Sequence, residues 1–199
     1  MDIVKSSIMK IFRSMKTRLL GQTFGPEGTA PSMLAYYQSY GMIAHNGWDW
    51  TAKDGEPIYW DVDVKGIVMD CHIDRNGGWG VRVITSDDNK TGFKHLFWHL
   101  KEFKCQAGQT LETGDIIGLA DNTGNSTGTH LHRGLKPVKD TNLGWRNSEP
   151  NNGYCGGTNI EPYYEDIFVL DKMEQLKKKV SILKSMVAIL TKLLKLLKK

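Results

Sequence analysis

Cysteine is scarce in this chain and long apolar runs are missing. The three cysteines among 199 residues, Cys71, Cys105 and Cys155, form no Cys-x-x-Cys pair and cannot all pair with one another. That excludes a disulfide framework and points to reduced thiols in a protein made in the cytoplasm. No apolar stretch is long enough for a membrane span, and a charged fraction of 24% with a mean hydropathy of −0.39 fits a globular domain. The first residues, Met1-Asp-Ile-Val-Lys-Ser-Ser-Ile-Met-Lys, do not build the apolar core of a secretory signal. Charges at Lys5, Lys10, Arg13, Lys16 and Arg18 interrupt it. No serine or cysteine sits in a recognisable nucleophile setting. Acid is missing almost entirely from the tail.

Charge is therefore unevenly placed. Residues 1–20 carry a net +4, residues 171–199 a net +7, and residues 21–170 a net −7. Nucleic-acid binding fits poorly, because the basic charge lies on the two ends and the body is acidic. The pattern predicts ends with a different job from the body.

Three regions follow. Residues 1–20 space Ile3, Ile8, Ile11, Phe12, Met15, Leu19 and Leu20 at helical intervals among basic residues, which predicts a short amphipathic helix. From residue 21 to 170 the texture is that of a compact antiparallel β domain, with β-branched and aromatic runs such as Ile58-Tyr-Trp and Val81-Arg-Val-Ile between Gly-rich turns. No stretch of this body predicts a long helix. In residues 171–199, Met173, Leu176, Val180, Leu183, Val187, Leu190, Leu194 and Leu197 recur at alternating steps of 3 and 4, the seam of a coiled coil. Ile182, Met186, Ile189, Leu193 and Leu196 widen the stripe, as in a helix lying on a membrane surface. The unbroken repeat favours self-association or a partner helix. Nine lysines without flanking glutamates weigh against a parallel homodimer.

The body holds three separated histidine clusters: His45-Asn-Gly-Trp-Asp49, Phe97-Trp-His99-Leu and His130-Leu-His132. Together they supply two imidazoles and a carboxylate to a metal, with two further imidazoles beside it. A catalytic zinc site uses three protein ligands and leaves a fourth position open. On a flat strand His45 and Asp49 would stand about 13 Å apart, so the chain must bend between them. Asn46-Gly47 is the pair best able to adopt turn or left-handed conformations. The plain alternative is an ordinary Asn-Gly turn flanked by a surface histidine and aspartate. Alternation on a strand puts His130 and His132 on one face, with Leu131 toward the core and a small polar loop, Asn122–Thr129, leading in. Period 2 also puts His95, Phe97 and His99 on one face. His95 is read as a partly exposed strand residue, and His72 as structural.

The order His-x-Gly-x-Asp, aromatic-x-His-Leu, Gly-Asp-x-Ile-Gly and Thr-Gly-Asn-Ser-Thr-Gly-x-His-Leu-His resembles the lysostaphin-type (LytM-like) zinc endopeptidases of bacterial peptidoglycan. The resemblance runs from about Gln22 to Tyr163. It implies a compact antiparallel β-sheet domain with a groove, zinc held by His45, Asp49 and His132, and His99 and His130 flanking the reactive water and the oxyanion. The implied partner is a cell-wall peptide. With no secretory pattern, a bacteriophage endolysin or a lysin carried on a virion is the expected setting, made in the cytoplasm and acting at the wall. The rival reading is a non-catalytic or virion-structural wall-binding module with the tail as its assembly helix. The chain departs from the family pattern at Thr129, where proline is usual, and at Arg133-Gly134, where an aromatic and an acid are usual. It also carries a longer segment from Lys139 to Asn159, and its basic tail lies outside the family domain.

Overall fold

A computed structural model of the chain describes residues 9–197. The strands are β1 (Ile11–Arg13), β2 (Trp48–Thr51), β3 (Pro57–Tyr59), β4 (Gly66–Asp74), β5 (Gly78–Thr85), β6 (Thr91–Phe103), β7 (Thr110–Leu111), β8 (Ile116–Ala120), β9 (His130–Lys139), β10 (Arg146–Asn147) and β11 (Tyr164–Phe168). Two helices accompany them, α1 (Pro31–Ser39) and α2 (Val169–Leu197). The main sheet runs β10-β9-β6-β5-β4-β7, with β2 beside β9, and with β8 joining β6 to β3. Its pairings are all antiparallel. The mainly β antiparallel architecture is the one the sequence predicts.

Alternation explains the layers. Along β9, Leu131, Arg133 and Leu135 point into the core, and His130, His132, Gly134 and Lys136 point to the opposite face. Phe97, opposite Arg133, joins the core with Trp50, Trp60, Ile58, Leu100 and Ile117. The histidine-bearing face is the functional one.

The amino-terminal expectation needs correction. Residues 1–8 of the predicted helix fall outside the described residues. Among residues 9–20, Ile11–Arg13 form a strand paired in parallel with β11, not a helix. Ile11, Phe12 and Met15 are buried under the sheet, so their apolar spacing reflects docking of an extended segment. Nor do the basic residues here stand apart from the body. Lys10 pairs with Glu165, and Arg13 and Arg18 pair with Asp166.

α1 was not foreseen either. Pro31 opens it, a position that suits proline because the first helical N–H has no partner in any case. α2 leaves directly from β11, and beyond Val169 nearly all of it is exposed, including Leu183, Val187, Leu190 and Leu194. Among the described residues no helix is long and apolar enough to cross a membrane.

Candidate metal centre and catalytic cleft

Asp49 and His132 are directly opposed in the β2–β9 pairing, on the same face of the sheet. His45 lies ahead of β2 and reaches the same point because the chain bends at Gly47. The bend falls where the sequence predicts it, and neither Asn46 nor Gly47 needs a left-handed conformation to make it. The glycine is needed for room: a β-carbon at position 47 would stand 2.7 Å from Cε1 and Nε2 of the His132 ring.

The three side chains converge closely. His45 Nε2 lies 3.0 Å from His132 Nδ1 and 3.1 Å from Asp49 Oδ1, and His132 Nδ1 lies 3.0 Å from Asp49 Oδ1. A tetrahedral zinc ion with bonds of about 2.0–2.1 Å spreads its ligand atoms about 3.3 Å apart. The triangle is within a few tenths of an ångström of that spacing, so this donor set could hold such a metal. Outer contacts aim the donors. His45 Nδ1 donates to the Thr23 carbonyl at 3.1 Å, which leaves Nε2 as the free lone pair. Gln22 Nε2 approaches Asp49 Oδ2 at 3.4 Å, and the Asp49 N–H donates to the Gln22 carbonyl. Burial pushes the Asp49 carboxyl up, but the hydrogen bonds and charges of His132 and His45 outweigh it and hold the group well below the ordinary carboxylate range. Burial lowers the pKa of His132, against the pull of Asp49, so the imidazole is kept in the neutral form a metal requires.

The second pair of imidazoles stands beside this triangle. The His99 and His130 rings lie 4.5 Å apart, centroid to centroid, and His130 Nε2 is 3.7 Å from Asp49 Oδ1. His99 does not reach the cleft by simple alternation, which would have sent it into the core with His95 and Phe97. Three steps on β6, from Phe97 to Leu100, face two on β5, from Val81 to Trp79. This is a bulge, and His99 within it takes φ +65°. The bulge swings the ring toward His130. His99 Nδ1 donates to the Thr123 carbonyl at 2.7 Å. That carbonyl is brought in by a close crossing of two loops, where a β-carbon on Gly78 would stand 2.4 Å from the Thr123 backbone. Burial, then the neighbouring His130 and His132, push the His99 pKa down to about 4. His130 Nδ1 faces the Gly128 carbonyl at 2.8 Å and Ser126 Oγ at 3.0 Å.

A cleft of about 610 Å³ opens over these residues. Asn125, Ser126 and Thr127 of the polar loop form one wall, Trp98 lines another part, and Met33, Tyr36, Tyr37 and Tyr40 reach in from α1 and its end. Tyr37 packs on the His45 ring at 5.4 Å. Sequence reasoning missed this helix, whose only local signal is Pro31 followed by a glycine-free stretch to Gly41.

His95 also corrects an expectation. It is fully buried, on the core side, in a polar chain behind the metal triangle. Arg133 grips Asp61 with two bonds of 2.9 and 3.0 Å and donates to His95 Nδ1 at 2.9 Å, and His95 Nε2 donates to Thr85 Oγ1 at 3.0 Å. Burial, reinforced by Arg133, drives the His95 pKa well down. His72 lies part-exposed near Trp98 and Asp74, outside the triangle. All three cysteines are free.

Comparison with known proteins agrees with this geometry. The chain is 36% identical over 88 residues to the DD-carboxypeptidase/endopeptidase Mpg of Neisseria meningitidis, covering 44% of this chain and 19% of that protein. It is 32% identical over 91 residues to the peptidoglycan DD-endopeptidase ShyB of Vibrio cholerae, covering 46% and 20%. The match thus spans about a fifth of the length of these relatives. In fold it is similar to the catalytic domain of the prophage-encoded M23 protein EnpA of Enterococcus faecalis, with a TM-score of 0.51 at 21% identity over 73% of this chain and 90% of that one. Lysostaphin of Staphylococcus simulans gives 0.51 at 18% identity over 76% and 52%. The profile of peptidase family M23 matches residues 43–143, and with half of its length so matched the chain belongs to that family of metallopeptidases.

Proposed function

We propose that this chain is a zinc-dependent endopeptidase that hydrolyses peptide bonds of bacterial peptidoglycan, in a stem peptide or a cross-bridge. The observation that carries the reading is the triangle of His45, Asp49 and His132, with edges of 3.0–3.1 Å, beside two imidazoles whose Nδ1 atoms are already engaged. Two curated relatives bear names of peptidoglycan or DD-peptide endopeptidases, which supports the substrate class.

Bound zinc would polarise the scissile carbonyl and make water acidic enough to attack near neutrality. The rest falls to the protein. With its Nδ1–H donated to Thr123, His99 presents a bare Nε2, and a pKa of about 4 keeps that nitrogen unprotonated at neutral pH. With Nε2 bare, His99 accepts the proton of the attacking water and passes it to the leaving amine. His130, carrying a proton on Nε2 as well as on the Nδ1 that faces Gly128, donates to the oxyanion as the carbonyl carbon becomes tetrahedral. Trp98 and the tyrosines of α1 shield the cleft from bulk water, and the polar loop gives the substrate backbone hydrogen-bonding room. α2 lines no part of the cleft, and we assign it contact with a second copy, a partner helix or a membrane surface, not catalysis.

The test joins two readouts, metal content and loss of turbidity of isolated peptidoglycan, in the wild-type protein and His132→Ala. About one zinc per chain, with clearing abolished by the substitution and by a chelator, is the expected result. Neither zinc nor clearing in the wild type would sink the proposal and favour a wall-binding module.

A further inference from the structure

The face of the sheet that carries His132 continues beyond the cleft. Four residues further along β9, on the same face, stands Lys136, about 13 Å away at the ordinary strand rise. Its cross-strand partner on β6 is Lys94, four residues from the Trp98 that opposes His132. The register between β6 and β9 is unbroken over this span. Gly134 and Leu96 are paired between the two ends, and both are buried.

Lys94 is anomalous. Only 9% of the residue is exposed, and its ammonium makes no hydrogen bond or ion pair with any described residue. The charges around it are mostly of its own sign: Lys136, Arg82 and Arg146, against the single carboxylate of Asp70. That carboxylate is already taken by Arg82 in a two-pronged contact of 2.7 and 2.6 Å. Lys136 is turned aside to the Cys155 carbonyl at 2.7 Å, so the segment Lys139 to Asn159 helps to enclose the spot. Burial, with Lys136 and Arg82 adding to it, pushes the Lys94 pKa down to about 8. Its stem is buried while its ammonium still meets solvent, so an unpaired cation among other cations stands open to an anion.

We propose that Lys94, with Lys136 and Arg82, forms a subsite that binds a carboxylate of the peptide lying along the groove, set about 13 Å from the metal triangle. This rests on the reading of the chain as a peptidase of wall peptides, whose stems carry free carboxylates. The subsite selects substrates by charge at a point remote from the scissile bond. Long Arg and Lys side chains suit a carboxylate, and neighbouring cations are relieved when it arrives.

The experiment uses the full-length, zinc-loaded chain carrying His99→Ala to stop turnover. Calorimetry compares a stem tetrapeptide bearing free carboxylates with the same peptide as its carboxamides, before and after adding Lys94→Met, which keeps most of the stem and removes the charge. Loss of one charge-assisted bond predicts a preference of roughly ten- to a hundredfold for the acid, erased by Lys94→Met and restored in part by Lys94→Arg. Equal affinity for acid and amide, or a preference that survives Lys94→Met, would overturn the proposal. So would inorganic phosphate binding as tightly as the acid peptide, which would mark a general anion site. Hydrolysis by the His99-bearing protein without any acid preference would leave the peptidase standing and remove the subsite. Acid preference without hydrolysis would do the reverse.

Discussion

Removing Asp61 should cost the protein far more than removing an ordinary surface ion pair. Asp61 and Arg133 side chains are each 1% exposed, so neither charge has water to fall back on. Arg133 spends two donor bonds on Asp61, one on His95 and one on the Gly134 carbonyl, and its guanidinium lies 4.3 Å over the Phe97 ring. Asp61→Ala strands a guanidinium in the core with half of these bonds gone, a change that costs about 3–5 kcal/mol. Against a total stability of about 5–15 kcal/mol for a domain, that is about a fifth of the reserve or more. Replacing both partners, Asp61→Leu with Arg133→Met, removes both charges and should cost less than Asp61→Ala alone, although His95 Nδ1 then loses its donor. Urea unfolding of the wild type, the two single variants and the double would measure this, with His132 metal affinity followed in parallel because it adjoins Arg133. The reasoning fails if Asp61→Ala costs less than about 1 kcal/mol, or if the double variant equals the sum of the singles.

Gly47→Ala should displace the His132 ring and weaken zinc about 10- to 100-fold while the fold survives, readable by competition with a chromogenic chelator. His95 should make stability fall on acidification. Its folded pKa is depressed, so the full stability is present above about pH 6.5, where the unfolded chain is also neutral, and is lost as the pH falls toward the folded value. His95→Gln should lower the slope of stability against pH between pH 6.5 and 5 by up to about 1.4 kcal/mol per unit, and an unchanged slope would contradict the assignment. Deleting residues 171–199 should leave hydrolysis of soluble peptides intact while changing sedimentation or vesicle binding; a dead but folded truncation would mean that α2 serves the cleft after all.

The site was more legible than its surroundings. Metal chemistry restricts the residue types to the three histidine clusters, the family resemblance singled out His45, Asp49 and His132 among them, and the i, i+2 spacing of His130 and His132 survives on any regular strand. His99 reached the right place for a reason the spacing hid, since alternation alone sends it into the core and only the bulge turns it back. Arg133 meets His95 and Asp61 across separations of 38 and 72 residues, and no local pattern announces a contact of that range. Arg133 read as a departure from the family pattern when it is the centre of a buried ion pair. At the amino terminus the helical spacing misled, because tertiary docking against Tyr164–Phe168 holds the segment as a strand. α1 has a weak amphipathic pattern because its two tyrosines, Tyr36 and Tyr37, both line the cleft while only Tyr37 is buried.

The parallel pairing of β1 with β11 places Ile11 beside Tyr164, so the backbone enters and leaves the peptidase body at one edge. Because parallel strands run the same way, the exit at Phe168 stands about 13 Å beyond the entry at Ile11, like a thread drawn along one edge of a bead. Joining its ends into a circular permutant opened at the exposed turn of Asp87–Lys90 takes a crossover linker of about a dozen residues.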